Sequence, residues 1–286
     1  MGYHLRMHRL ISLLFWTALT LGCQKHHSPS LPLPLSKVQH SGPDRTVVDI
    51  WRTREEGTKI YILAETGDGP PRLFMVDTGA SVSVISPSLA QELQLAIRPA
   101  RGELVGLGGS APWNRAVIPE LSIGEQTFRD VQVAVGVPGV PSKAGAVPLA
   151  GILGNNIWSH FVVSVDYVSN KLELAAPGTT DRRPNAQPLI FNGQHVRTTV
   201  KVSIDSDEGV QTEALLLEID TGAQGMVISG HAPQALEASA TEGLEPLFGI
   251  GAGDNLPASN FLQRTRRISI QGVEVGGHYI ERNMDA

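Results

Sequence analysis

The feature that most constrains the fold of this chain is an internal repeat. Residues 72–86 read RLFMVDTGASVSVIS and residues 215–229 read LLLEIDTGAQGMVIS, so that in both an apolar run leads into Asp-Thr-Gly-Ala and a second apolar run ends in Ile-Ser. A glycine-rich segment follows 29 residues after the aspartate of each copy, at Gly106 and at Gly249. Self-similarity at a fixed spacing is the signature of a duplicated structural unit. The sequence therefore predicts two related units.

Short β-rich segments are expected to dominate both units. Charged residues make up only 18% of the chain, while 30 glycines and 19 prolines supply frequent turns; this composition suits short strands better than long surface helices. Helices are predicted only at residues 87–95, with Ser86 as N-cap and Pro87 in the first turn, and at residues 234–240. The fold class is all-β, with one short helix in each unit. Strands are predicted over residues 59–63, 73–76, 121–123, 131–135, 161–165 and 171–174.

The aspartates of the two Asp-Thr-Gly tripeptides are the candidate catalytic residues. One such tripeptide occurs by chance in roughly one chain in twenty of this length, so the second copy and its matching flanks carry the argument. An aspartate that ends a buried strand and precedes glycine lies in a tight turn from which its carboxylate projects. The threonine hydroxyl can brace that turn as both donor and acceptor. The predicted catalytic pair is Asp77 and Asp220, supported by Thr78, Gly79, Thr221 and Gly222.

Two facing carboxyl groups can hydrolyse a peptide bond without a cofactor or a metal. When they lie close together both cannot ionise, so the pair holds one proton and titrates as a unit. One carboxylate takes a proton from a bound water, which attacks the scissile carbonyl carbon. The other donates a proton to the developing oxyanion and later to the leaving amine. The tripeptides therefore indicate an aspartic endopeptidase.

The tripeptides and their flanks resemble those of the retropepsin-like aspartic peptidases, the bacterial branch of the fold that retroviral proteases and pepsins share. The resemblance covers residues 58–174 as one complete lobe and residues 196–279 as a second. It implies an all-β fold of two tandem closed-barrel lobes, with Asp77 and Asp220 catalytic and a peptide or protein as substrate. It also implies a flap hairpin over the substrate, whose tip consists of Gly106, Leu107, Gly108 and Gly109.

The second unit departs from the family pattern. Residues 152–155 resemble the strand that threads beside the active-site loop, and its Gly154 lies 77 residues after Asp77. The equivalent position after Asp220 falls near residue 297, beyond the last residue of the sequence. Three functions therefore stay open: a peptidase with an intrachain pair, a homodimeric peptidase that uses Asp77 from each chain, and a catalytically impaired cell-envelope protein that binds peptides or assists assembly.

The N-terminus predicts export. Arg6 and Arg9 precede an uncharged apolar run, and Gly22 stands before Cys23, the single cysteine of the chain. This arrangement predicts a signal peptide over residues 1–22. It also resembles the lipobox of bacterial lipoproteins, in which the cysteine becomes the lipidated N-terminus. The alternative is an ordinary signal peptide with an incidental cysteine.

The predicted domain organisation follows from these motifs. A tether rich in Pro, Ser and His spans residues 23–44, and the two lobes span residues 45–178 and 188–286. The expected location is the bacterial cell envelope or periplasm, with a lipid anchor at Cys23 holding the chain to a membrane. The net charge of −5 provides no basic field for nucleic acid, so a peptide or protein substrate is the expected partner.

Overall fold

The computed structural model describes thirteen stretches of the chain, and all of them belong to one compact unit, Pro32–Ala286. Cys23, the predicted signal peptide, the predicted helix at residues 234–240 and the predicted flap residues Leu107 and Gly108 lie outside the described residues. The described residues are 38–53, 59–106, 109–137, 140–179, 190–191, 196–206, 209–223, 227–229, 245–249, 258–264, 267–270, 273–275 and 279–283.

Within these stretches the chain forms strands and two short helices. Neither of these helices is long and apolar enough to cross a membrane. The helices are α1 (Pro87–Glu92) and α2 (Asn155–Trp158). The strands of the first half are β1 (Gln39–Ser41), β2 (Arg45–Asp49), β3 (Tyr61–Thr66), β4 (Arg72–Val76), β5 (Ser83–Ile85), β6 (Arg98–Gly106), β7 (Gly109–Ile123), β8 (Gln126–Val135), β9 (Lys143–Ala144), β10 (Val147–Pro148), β11 (Gly151–Leu153), β12 (Val162–Asp166) and β13 (Lys171–Ala175). Those of the second half are β14 (Ile190–Phe191), β15 (Val196–Ser206), β16 (Gly209–Glu218), β17 (Val227–Ser229), β18 (Glu245–Gly249), β19 (Ala258–Arg264), β20 (Arg267–Ile270), β21 (Val273–Val275) and β22 (Tyr279–Asn283).

Six strands of the first half close into a barrel. Their order is β8-β5-β11-β4-β3-β7, and β7 pairs back onto β8, so every strand of the ring has two neighbours. The pairs β4–β11 and β5–β8 are parallel, and the other pairs of the ring are antiparallel. Strand β1 adds to β8 and strand β6 adds to β7 outside the ring. The prediction of an all-β fold with a closed barrel is confirmed.

Alternation along each strand gives the barrel two apolar faces. On β4, Phe74 and Val76 belong to the larger buried cluster, while Met75 between them belongs to a second cluster, as the two-residue period of a strand requires. Trp113 of β7 is 6% exposed and packs in the second cluster. A barrel buried on both faces explains why several strands here read as nearly continuous apolar runs.

The sequence predicts where helix α1 begins, but it does not predict where α1 ends or that α2 exists. Helix α1 begins as predicted, since the Ser86 hydroxyl accepts a hydrogen bond from the Leu89 amide at 3.2 Å. It ends earlier than residue 95 because Gln94 adopts a positive φ of 51° and the Leu95 amide turns back to the Ala90 carbonyl. The expectation of one helix per unit is wrong for the first half, where α2 follows β11.

Strand bounds differ from the predicted ones where neighbouring strands extend the pairing. The predicted strand at residues 59–63 lies at residues 61–66, because the β3–β7 pairing involves Glu65 and Thr66. The predicted segments 121–123 and 131–135 are the ends of the much longer β7 and β8, which pair along most of their length. Cross-strand pairing, which a local pattern does not report, sets these lengths.

The second half pairs its described strands in an order that parallels the first. Strands β15 and β16 form an antiparallel pair as β3 and β4 do, and β15 also pairs with β20 as β3 pairs with β7. Strand β17 runs parallel to β22 as β5 runs parallel to β8, and β18 and β19 pair as β6 and β7 do. The assignment of residues 45–178 and 188–286 to two tandem lobes stays a prediction.

A buried polar cluster joins three elements beneath the first Asp-Thr-Gly segment. The Asn156 side-chain oxygen accepts from both the amide and the hydroxyl of Ser83, at 2.9 and 2.8 Å, and its amide donates to the Gln132 carbonyl at 2.9 Å. The Ser83 hydroxyl also accepts from the Gly154 amide at 3.0 Å. Because Ser83 and Asn156 are 0% and 5% exposed, these bonds fix α2 against β5 and β8 with no competition from water.

We expect Asn156→Ala to lower the free energy of unfolding by about 2–4 kcal/mol, because it leaves several buried partners without a hydrogen bond. Urea denaturation followed by circular dichroism measures the loss. Ser122→Ala is the matched control, since the Ser122 hydroxyl contacts that of Thr127 at 3.3 Å in a half-buried position, and it should cost under about 1 kcal/mol. Equal losses in the two variants would contradict a stabilising role for this cluster.

Candidate active site

Asp77 lies immediately after β4, a strand of the barrel that pairs with β11 on one side and β3 on the other. Its amide donates to the Leu153 carbonyl of β11 at 3.0 Å. Its carboxylate oxygen Oδ1 accepts hydrogen bonds from the amides of Gly79 and Ala80 at 2.9 and 3.0 Å, which closes a tight turn. The turn holds the carboxylate in place without another side chain.

The second tripeptide also forms a turn in which the glycine amide donates to the aspartate carboxylate. Asp220 follows β16, and its Oδ1 accepts from the Gly222 amide at 2.7 Å. The Ala223 amide lies 3.4 Å from the Asp220 carbonyl oxygen and donates to it. The two turns therefore share the bond from the glycine amide to the aspartate Oδ1, and they differ at the alanine amide, which donates to the Asp77 carboxylate in the first turn and to the Asp220 carbonyl in the second.

The two threonines interlock the turns. The Thr78 amide donates to the Thr221 hydroxyl at 3.2 Å, and the Thr221 amide donates to the Thr78 hydroxyl at 3.1 Å. Each hydroxyl in turn donates to a carbonyl of the opposite segment, Thr78 to Ile219 at 2.6 Å and Thr221 to Val76 at 2.8 Å. Each hydroxyl thus uses both its donor and its acceptor capacity. Segments separated by 143 residues are joined by a two-fold set of four hydrogen bonds.

The interlock brings the two carboxyl groups together over the glycines. A Cβ atom at Gly79 would lie 2.5–2.7 Å from the Asp220 carboxylate, and one at Gly222 would lie 2.7–2.8 Å from the Asp77 carboxylate. Real Cβ contacts are longer than this, so each tripeptide requires glycine at its third position to let the opposite carboxylate approach. The structure therefore places all six predicted residues of the tripeptides in one site.

The proximity of the carboxyl groups changes the protonation of Asp77. Burial, followed by the charge of Asp220 and a hydrogen bond between the two carboxyl groups, raises the pKa of Asp77 from 3.8 to about 7. The amides of Ala80 and Gly79 act in the opposite direction, because they stabilise the carboxylate. The balance favours a pair that keeps one proton up to neutral pH.

Asn155 supports the first turn and was missed by the sequence analysis as a site residue. Its side-chain amide donates to the Thr78 carbonyl at 2.7 Å, and its backbone amide donates to the Ala80 carbonyl at 2.8 Å. The neighbouring Gly154 allows this approach, since a Cβ there would lie 2.7 Å from the Ala80 carbonyl oxygen. Its position as the last residue of the predicted threading segment, residues 152–155, was the signal available in the sequence.

The predicted flap lies on the hairpin of β6 and β7. Gly106 and Gly109 form its last cross-strand pair, and the intervening Leu107 and Gly108 lie outside the described residues. The role of this hairpin as a flap over substrate stays a prediction. Among the described residues, no three His, Cys, Asp or Glu side chains form a group that could hold a metal ion.

Comparison with known proteins finds a family similarity for one segment of the chain. Residues 64–157 match the family model described as aspartyl protease, and no curated protein matches the chain. Among solved structures, a retropepsin-like aspartic protease from Rickettsia conorii is 21% identical, with 49% of this chain and 95% of that chain covered and a TM-score of 0.33. An aspartic proteinase from Irpex lacteus is 12% identical, with 81% and 78% covered and a TM-score of 0.43. The segment that is similar to the aspartyl protease family, residues 64–157 of 286, holds the first tripeptide and the β6–β7 hairpin.

Proposed function

We propose that this protein is an aspartic endopeptidase in which Asp77 and Asp220 of the same chain activate a water molecule. The observation that carries the proposal is the reciprocal hydrogen bonding of Thr78 and Thr221, which holds two aspartate turns face to face. The similarity of residues 64–157 to the aspartyl protease family supports the reaction class. The geometry fits that reaction, because two carboxyl groups lie together and each accepts a hydrogen bond from a backbone amide, and the raised pKa of Asp77 favours one shared proton.

The reaction would pass that proton to the substrate and regain one at the end of the cycle. The raised pKa of Asp77 favours placing the proton on Asp77, so the Asp220 carboxylate removes a proton from the water as the water oxygen bonds to the carbonyl carbon. Asp77 gives its proton to the carbonyl oxygen, which forms a neutral tetrahedral diol. The C–N bond then breaks as the nitrogen takes the proton from Asp220, and the pair returns to its starting state when a diol proton passes back to Asp77.

The interlock favours the intrachain pair over the two alternatives. In a homodimer that used Asp77 from each chain, Thr78 would pair with its own copy, whereas here it pairs with Thr221 of the second repeat. A protein that only binds peptides has no need of two carboxyl groups in contact, because placing them together raises the free energy of the ionised pair. We therefore propose the single-chain peptidase as the function.

Asp77→Asn and Asp220→Asn should each reduce kcat/KM on a peptide library by at least about 1000-fold, because either change removes half of the acid–base pair. Cleavage is measured with mass-spectrometric detection on purified protein. Asp130→Asn is the matched control: this exposed aspartate has a φ of 56°, which asparagine tolerates. Full activity in Asp220→Asn would contradict the intrachain pair and favour the homodimer, while an inactive wild-type chain would favour the binding protein.

Activity and stability should both fall as the pH rises to neutrality. A folded-state pKa near 7 for Asp77, against the ordinary 3.8, contributes stability that is complete below about pH 4 and is lost by about pH 7. We expect kcat/KM to decline with an apparent pKa near 7, and the urea midpoint to fall over the same range in the wild type. In Asp77→Asn the urea midpoint should lose this dependence, whereas in Asp130→Asn it should keep it. A wild-type profile that is flat from about pH 4 to about pH 9 would contradict the shared proton.

We also propose that the chain is exported and anchored through a lipid on Cys23, on the basis of the apolar segment and Gly22 that precede this residue. Cys23→Ser should move the protein from the membrane fraction to the soluble fraction of a Gram-negative host, and should abolish incorporation of labelled palmitate. Ser30→Ala in the tether is the control and should stay with the membrane. An unlabelled wild-type protein in the soluble fraction would favour an ordinary signal peptide.

A further inference from the structure

Two arginines face each other at the base of the β6–β7 hairpin. Arg98 and Arg115 are directly opposite in the antiparallel register, and both are exposed. Directly opposite residues share a face of the sheet with their Cβ atoms about 5 Å apart, and like charges in this position destabilise the pair of strands. Arg101, also exposed, lies in the irregular stretch between Pro99 and Glu103. The hairpin therefore concentrates positive charge at an energetic cost.

Nothing among the described side chains offsets this charge. Arg45, Arg72 and Arg129 each form an ion pair with a glutamate, whereas Arg98, Arg101 and Arg115 form no ion pair within the part of the chain that the structure describes. Glu103 of β6 instead accepts a hydrogen bond from the Ser110 hydroxyl at 2.7 Å. A local arrangement that costs stability without a compensating contact is typical of a functional site.

A continuous cross-strand row links the arginine pair to the candidate active site. The row starts at Arg98 on β6 and crosses β7, β8, β5 and β11. It ends on β4, at the residue two positions before Asp77. Each step is about 4.8 Å, so Arg115 lies at most about 19 Å across the barrel from the end of the row on β4. An extended peptide covers this distance in about six residues, and an arginine side chain shortens it further. The row consists of Arg98, Arg115, Ala134, Val84, Ile152 and Met75.

We propose that Arg98 and Arg115 bind a carboxylate side chain of the peptide substrate, about four to six residues from the scissile bond. Guanidinium groups form charge-assisted, two-pronged hydrogen bonds with carboxylates, and a bound carboxylate would relieve the repulsion between the two cations. The chain as a whole has a net charge of −5, so this local positive charge opposes the overall sign and can select acidic substrates. As a cleavage preference, the proposal rests on the proposed peptidase function.

The test uses a cleaved peptide in which single positions four to six residues from the scissile bond, on each side, carry either Glu or Gln. We expect the wild type to cleave the best Glu peptide about fivefold faster in kcat/KM at low salt, corresponding to one exposed charge-assisted contact, and about equally at 0.5 M NaCl. Arg98→Gln/Arg115→Gln should lose the preference, so that its ratio of kcat/KM for the Glu and Gln peptides is about one. Arg129→Gln, which removes a cation elsewhere on the barrel, should retain it.

A binding measurement separates this proposal from the peptidase function. Fluorescence anisotropy of the same peptides with Asp77→Asn, with and without the double arginine substitution, reports the preference without cleavage. A Glu preference in binding without any cleavage by the wild type would support the arginine site and overturn the peptidase. Equal handling of the Glu and Gln peptides, or a Glu preference that survives Arg98→Gln/Arg115→Gln, would overturn the arginine site and leave the peptidase standing.

Discussion

The reciprocal hydrogen bonds of Thr78 and Thr221 are the interaction on which the candidate site depends. Two carboxyl groups in contact repel one another when both are ionised, so the two turns need an attachment that does not involve the carboxyl groups. The threonines provide it, since each hydroxyl accepts from the opposite amide and donates to the opposite segment's carbonyl. With the turns fixed in this way, the two carboxyl groups stay together, and burial followed by the charge of Asp220 raises the pKa of Asp77.

Other elements of the first half hold the turn that contains Asp77 in place. Asp77 stands on a barrel strand whose neighbour β11 accepts its amide, and Asn155, at the start of α2, holds the carbonyls of the same turn. Asn156 then ties α2 to β5 and β8 through buried hydrogen bonds. Consecutive residues of one short helix therefore have separate tasks, one at the candidate active site and one in the core, and the helix transmits the rigidity of the barrel to the aspartate turn.

Local patterns were sufficient for part of this structure and insufficient for the rest. The capping of α1 by Ser86 and the strand before Asp77 could be predicted because both depend on neighbours in sequence. Helix α2 could not, because its four residues have no amphipathic period and are held by contacts such as the bond from the Trp158 ring to the Leu153 carbonyl. The cross-strand pairing of Arg98 with Arg115 could not be predicted either, since the register shift between Pro99 and Glu103 decides which residues face each other.

The two sequence repeats are not identical around the candidate site, so its two sides can differ. At the spacings of Arg98 and Arg115 from Asp77, the second repeat has Thr241 and Ala258 relative to Asp220. In a symmetric dimer of the first half the arginine pair would occur on both sides of the site, and an acidic side chain would be attracted equally in two orientations. In the proposed single-chain site the pair would occur once, so a single carboxylate on the substrate would also set the direction in which the peptide lies across the aspartates.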